Sequence, residues 1–170
     1  DGAVTVTQGK LEGLSLTSPH FDGDNDFIEL GSQAGDMRLS GSNGTVCAWV
    51  NNDDGNGGDS HKRIFSKSDG GSGSNGYDMT MNTAGTNGVI NAYINSDQKI
   101  ENAEPSGGFV DGRWYHVVWT WDGTNNFLYI DGILIQTEDD TATPPATTCG
   151  ARIGTWNHDT GREMDGNIRD

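Results

Sequence analysis

The stretch Trp114-Tyr115-His116-Val117-Val118-Trp119-Thr120-Trp121 decides the fold class, read together with Phe127-Leu128-Tyr129-Ile130, Asp131-Gly132 and Ile133-Leu134-Ile135. Alternation in the first eight residues puts Tyr115, Val117, Trp119 and Trp121 on one face of a strand and Trp114, His116, Val118 and Thr120 on the other. The first set is expected in the core. His116, mid-strand, reads as a structural residue rather than a catalytic base. Asp122-Gly123 opens a turn, and Asp131-Gly132 lies between two apolar runs. Such a pair signals a hairpin, because a type I′ turn needs positive φ at both central residues.

Outward from this hairpin the same pattern recurs. Phe27-Ile28-Glu29-Leu30, Val46-Cys47-Ala48-Trp49-Val50, Arg63-Ile64-Phe65-Ser66-Lys67, Tyr77-Asp78-Met79-Thr80-Met81 and Val89-Ile90-Asn91-Ala92-Tyr93-Ile94 are short β-rich runs. Ala151-Arg152-Ile153-Gly154 and Met164-Asp165-Gly166-Asn167-Ile168 complete the set, and residues 51–60, 68–76 and 137–148 read as loops. No segment sustains helical periodicity. Gly, Asp and Asn together make 60 of 170 residues against 16 for Ala and Leu, so turn chemistry outweighs helix chemistry. Regularly spaced strands without crossover helices point to an all-β antiparallel sandwich.

The length implies one domain over residues 1–170, expected to be part of a longer protein. A net charge of −15 disfavours nucleic-acid binding, since phosphate backbones attract clustered Lys and Arg. No apolar run approaches the roughly 20 residues that span a bilayer, so membrane insertion is not expected. Cys47 and Cys149 stand 102 positions apart, without zinc-ligand spacing. Two readings are open: a disulfide closing a loop worth about 4.7 kcal/mol by chain entropy, or two buried thiols in strands.

Four blocks in order resemble the laminin G-like branch of the concanavalin A-like lectin and glucanase superfamily. They are Phe21-Asp22-Gly23 with Phe27-Ile28-Glu29-Leu30; Thr45-Val46-Cys47-Ala48-Trp49-Val50; Trp114-Tyr115-His116-Val117-Val118 through Leu128-Tyr129-Ile130-Asp131-Gly132; and Ile153-Gly154 with Asp165-Gly166. The resemblance covers residues 18–170 and implies a two-sheet jelly roll. The glucanase branch carries its acid and nucleophile as Glu-x-Asp-x-x-Glu on one strand face, because a retaining mechanism wants its carboxyls about 5–5.5 Å apart. Here Glu163-Met164-Asp165 is followed by Gly166, Asn167 and Ile168, with no third acid. No Gly-x-Ser-x-Gly or His-Glu-x-x-His occurs either, so no catalytic residue is assigned.

Asp22, Asp24 and Asp26 stand at positions one, three and five of a calcium-type loop, where a hard cation needs converging oxygens. Phe27 and Gln33 occupy the glycine and glutamate positions of an EF-hand, so it is not one. The resemblance implies calcium at the sandwich rim, with Asp165 joining Asp22, Asp24 and Asp26; otherwise these aspartates only turn the chain and solvate an acidic surface. For a glycan, an exposed aromatic flanked by hydrogen-bonding groups is needed. Trp156 with His158 and Asp159 meets that description, Tyr77 is second, and Asp53 and Asp54 could add polar contacts.

The expected function is an extracellular, non-catalytic module that binds a glycan or a protein surface with Ca2+ support. The alternative is a structural surface or virion component, such as a phage decoration or fibre domain, assembling as a homo-oligomer or larger array.

Overall fold

The structure, a computed structural model, describes residues 5–6, 18–30, 43–53, 61–68, 75–83, 86–139, 143–144, 149–156 and 162–169. Among these, thirteen strands run in the order β1 (Thr5–Val6), β2 (His20–Asp22), β3 (Ile28–Glu29), β4 (Gly44–Asn52), β5 (Lys62–Lys67), β6 (Tyr77–Thr83) and β7 (Thr86–Ile94), then β8 (Asp97–Ala103), β9 (Trp114–Trp121), β10 (Asn125–Ile130), β11 (Ile133–Asp139), β12 (Arg152–Ile153) and β13 (Asp165–Arg169). No described residue is helical, and no helix is long and apolar enough to cross a membrane.

The strands form two sheets, one of seven in the order β1-β3-β12-β5-β6-β7-β8 and one of six in the order β11-β10-β9-β4-β13-β2. Every pairing is antiparallel. This is the jelly-roll sandwich that the four blocks imply. Its core takes alternate residues from both sheets: Tyr77, Met79 and Met81 from β6, Ile90, Ala92 and Ile94 from β7, and Tyr115, Val117, Trp119 and Trp121 from β9. The alternation read from the sequence therefore holds in β9, whose other face carries half-buried Trp114, His116, Val118 and Thr120. Aromatic rings bridge the sheets, with Tyr77 stacked at 5.5 Å on Phe65 and 6.0 Å from Trp121. Trp119 keeps its indole N–H satisfied by donating to Asn126 Oδ1 at 3.2 Å.

Asp131 and Gly132 both have positive φ, 52° and 79°, as the type I′ reading requires. The structure adds a strand the sequence reading passed over, β8. Its two apolar core residues, Ile100 and Ala103, give weak alternation, and it is joined to β7 through Asn95 and Ser96, both at positive φ. β11 also runs to Asp139, two residues beyond the expected loop start at 137, because its ladder with β10 extends from Ile133 to Asp139.

Candidate functional site

β13 lies between β2 and β4 and brings the two ends of the chain together: Asp165 is opposite Asp22, and Gly166 is opposite both Phe21 and Asn52. Phe21 and Ile168 point into the core, which sends His20, Asp22, Asp165 and Asn167 to the outer face. Gly166, at φ 131°, has no alternative here, since a Cβ would run into the carbonyl oxygen of Asn51. That close approach lets the Asp53 N–H donate to the Asp165 carbonyl at 3.2 Å and carries the Asp53 side chain to the rim.

The result is a converging group. His20 Nε2 lies 2.9 Å from Asp53 Oδ2, and one ligand atom from each of His20, Asp53 and Asp165 lies within 4.8 Å of the others. The donor set, two carboxylates and an imidazole on two adjacent strand ends and a loop, fits a divalent cation. Among the described residues it is the one group of three or more such side chains.

Of the four aspartates expected as ligands, the structure brings Asp165 into this group and leaves Asp22, Asp24 and Asp26 outside it. Asp22 and Asp24 are exposed and shape the turn, with Asp22 Oδ1 accepting the Asp24 N–H at 3.0 Å. Asp26 is buried. Its Oδ2 accepts the Asp22 N–H at 3.1 Å, and its Oδ1 is enclosed without a hydrogen-bond partner. Burial foremost pushes the Asp26 carboxyl up from the ordinary range; the Asp22 backbone bond opposes this, and the Asp22 charge adds to it. His20 was not singled out from the sequence, although its spacing of two from Asp22 across the core residue Phe21 places both on one strand face.

Tyr77 and Trp156, also expected at a binding site, are both buried. Tyr77 is a core residue: it is in phase with Met79 and Met81, and burial pushes its phenol pKa up. Trp156 is 8% exposed, so it is not an open stacking face; the Arg162 guanidinium lies 4.6 Å over its ring and that of Arg63 lies 5.7 Å away. Asp54, His158 and Asp159 lie outside the described residues. Cys47 and Cys149 are not joined in a disulfide. Cys47 points outward from β4, between inward Ala48 and the ladder to Val118, whereas Cys149 precedes β12 in the other sheet. Nor are both thiols buried, since Cys47 is exposed.

On the outer face of the six-stranded sheet, His116, Trp49 and Arg169 stand opposite one another across β9, β4 and β13. The His116 and Trp49 rings are 5.0 Å apart, and Arg169 lies 4.3 Å over Trp114. This ladder accounts for His116 as a packing residue.

Fold and rim together define a lectin-like β-sandwich. Residues 22–170 match the laminin G branch of the concanavalin A-like lectin/glucanases superfamily, and the chain belongs to that family. No curated protein matches the chain in sequence. Among solved structures it is similar to domain 4 of AbnA, an extracellular GH43 arabinanase from Geobacillus stearothermophilus, in complex with arabinotriose. The TM-score is 0.62 at 14% identity, over 99% of this chain and 73% of that one. It is similar also to a candidate carbohydrate binding protein from Bacteroides ovatus, with a TM-score of 0.66 at 18% identity over 90% of this chain and 41% of that one. Domains LG4-5 of the mouse laminin α1 chain give a TM-score of 0.52 at 11% identity, over 89% of this chain and 39% of that one. The chain thus spans less than half the length of the last two.

Proposed function

We propose that the chain is a non-catalytic, extracellular recognition module that holds a glycan or a protein surface and is supported by calcium at the rim. The observation that carries this reading is the convergence of His20, Asp53 and Asp165 at the end of the sandwich, where β2, β4 and β13 meet. Asp53 and Asp165 would supply hard oxygen donors to the ion, and His20 would orient Asp53. The ion would neutralise two carboxylates held close together, and with them the segment that leads from Arg162 into β13. A similar fold named for carbohydrate binding and another, an arabinanase domain, in complex with arabinotriose support the glycan half of the proposal, and laminin domains support the protein half.

The test is a glycan array run with calcium and with chelator. Binding that weakens in chelator is the expected result; silence in both, from folded protein, overturns the glycan half.

A second reading has its own observation. Ile133 and Leu134 are 66% and 49% exposed on β11, an edge strand of the six-stranded sheet. An apolar open edge suits a structural surface or virion component that pairs with another chain. Light scattering over a range of concentrations separates the two, a firm oligomer favouring assembly.

A further inference from the structure

The outer face of the six-stranded sheet has no carboxylate at its centre, in a chain that is 21% charged and carries −15 overall. No residue of β4, β9 or β10 is Asp, Glu, Lys or Arg. Leu134, Tyr129, Val118 and Cys47 stand opposite one another in one outward row across β11, β10, β9 and β4, and Thr137, Phe127, Thr120 and Thr45 form the next outward row. Leu134 and Cys47 are exposed, and Tyr129, Val118 and Phe127 are half-buried. The row of His116, Trp49 and Arg169 follows on the other side, with Trp114 beside it. Carboxylates stand at the margins: Asp131 at the β10–β11 turn, Glu138 and Asp139 at the end of β11, and Asp22 and Asp165 on β2 and β13.

Covering this face strands few polar groups. The Thr45 hydroxyl donates to Thr120 Oγ1 at 2.9 Å, and the Thr120 hydroxyl donates to the Gly44 carbonyl at 2.9 Å, so both keep a partner when water leaves. The Arg169 guanidinium lies 4.3 Å over the Trp114 ring and 5.6 Å over that of Trp49. It has no ion pair among the described residues, and a stacked guanidinium is weakly hydrated, so it tolerates burial better than an ammonium. A centre of Trp, Tyr, Phe and Arg inside a charged margin is the composition of a protein–protein interface.

Size and charge select the occupant. At the usual spacings β11, β10, β9 and β4 side by side span about 19 Å, and the length of β9 is about 26 Å. That is about 500 Å² of projected sheet on each copy and about 1,000 Å² between two, where specific interfaces begin. Two chains of −15 repel at long range, and the repulsion is least across this face, whose carboxylates are marginal. A polyanion would find one guanidinium here and a polycation no carboxylate. What fits is another surface of the same apolar, aromatic kind, which a second copy of this chain provides.

We propose that the chain forms a two-fold dimer through this face, the outer side of one six-stranded sheet lying on the same side of another, with Val118 and Cys47 near the axis. The proposal rests on the second reading above, assembly with another chain, and names the partner as a second copy and the surface as the sheet face rather than the β11 edge. Contact between identical faces closes at two copies. Stacked sheets lie about 10 Å apart, which brings the two Cys47 thiols within cross-linking reach. Pairing β11 with β11 would instead set them seven strand spacings, about 34 Å, apart.

The test is sedimentation velocity of the whole chain from about 1 to 500 μM, for wild type, Cys47→Glu and Val118→Lys. A Cys149→Ser variant, in which Cys47 is the one thiol, is treated in parallel with a bismaleimide reaching about 10 Å. The face predicts a reversible dimer with a micromolar Kd, tightened by added salt as repulsion is screened, and weakened about tenfold or more by each variant at an unchanged monomer melting temperature. It also predicts a cross-link through Cys47, whose alkylation is rapid at the dilute end and slows as the dimer fills. Cys47 is exposed, so Cys47→Glu carries the test by itself where Val118→Lys fails to fold. A dimer indifferent to Cys47→Glu and not joined by the short reagent overturns the face and leaves assembly through the β11 edge standing. Association that loosens as salt rises means that ion pairs hold the copies, and overturns the face. A monomer at every concentration overturns the face and the assembly reading together.

Discussion

Replacing Asp78 by Asn removes one charge from an enclosed pair and little else. The Asn oxygen still accepts from Ser66 and Ser68, at 2.8 and 2.9 Å in the wild type, but the amide faces the Arg63 guanidinium with a donor where a carboxylate oxygen stood at 3.4 Å. Both side chains are fully buried, and Arg162 adds repulsion, so Arg63 is left as an uncompensated interior cation. Breaking a buried pair in this way costs about 3–5 kcal/mol, whereas replacing both partners is far milder. In a chain of this size that is roughly a 6–20 °C fall in melting temperature. Urea unfolding followed by tryptophan fluorescence, with an unchanged m-value, reports the loss. Arg63→Met with Asp78→Asn in one chain should recover about 1.5 kcal/mol or more of it, because the stranded charge is gone. A loss below about 1 kcal/mol for Asp78→Asn, or a double variant no better than the single, would refute the claim that Arg63 relies on Asp78 for its charge balance.

Three further outcomes follow from the geometry. Because burial raises the Asp26 pKa in the folded chain, its ionisation opposes folding, and the stability associated with the neutral carboxyl is lost as pH rises from about 3.9 through the higher folded value. Asp26→Asn should therefore gain on the wild type between pH 3 and pH 7 in chelator, and a variant that falls behind over that window contradicts the reading. Cys47, exposed on β4, should alkylate in the native protein, and reductant should leave the melting temperature unchanged; a protected thiol would mean that the outer face of β4 is covered. Gly166→Ala should lower the melting temperature by several degrees or prevent folding, as its Cβ meets the Asn51 carbonyl; a shift within 2 °C would show that β13 and β4 are not so closely apposed.

The fold was legible wherever alternation was strong. β9 carries four aromatic or branched residues on its core face, and Asp131-Gly132 has the one turn chemistry that closes a two-residue hairpin without strain, so both are read correctly from local sequence. β8 was illegible because Lys99 and Gln98 dilute its pattern and its turn uses Asn95-Ser96 rather than a glycine pair. The rim was half legible. The aspartate turn and Asp165 could be placed near each other through their family resemblance, but His20 and Asp53 meet only because β13 inserts between β2 and β4, a long-range pairing with no local trace. Trp156 reads as an exposed loop aromatic because nothing near it in sequence shows that Arg63, 93 positions earlier, will come within 5.7 Å of its ring. Arg63 itself looks like a strand-edge charge until its enclosure with Asp78 is seen.

The most direct measurement follows the five indole N–H resonances, of Trp49, Trp114, Trp119, Trp121 and Trp156, by NMR while oligosaccharides of varied composition are titrated with calcium present. Trp119 and Trp121 lie in the core, Trp49 and Trp114 on the six-stranded face, and Trp156 beside Arg63 and Arg162. A calcium-supported glycan-binding module predicts a saturable shift of at least one indole outside the core, weakened by chelator, with Trp119 and Trp121 nearly still. No movement with any oligosaccharide, or movement indifferent to chelator, would contradict it.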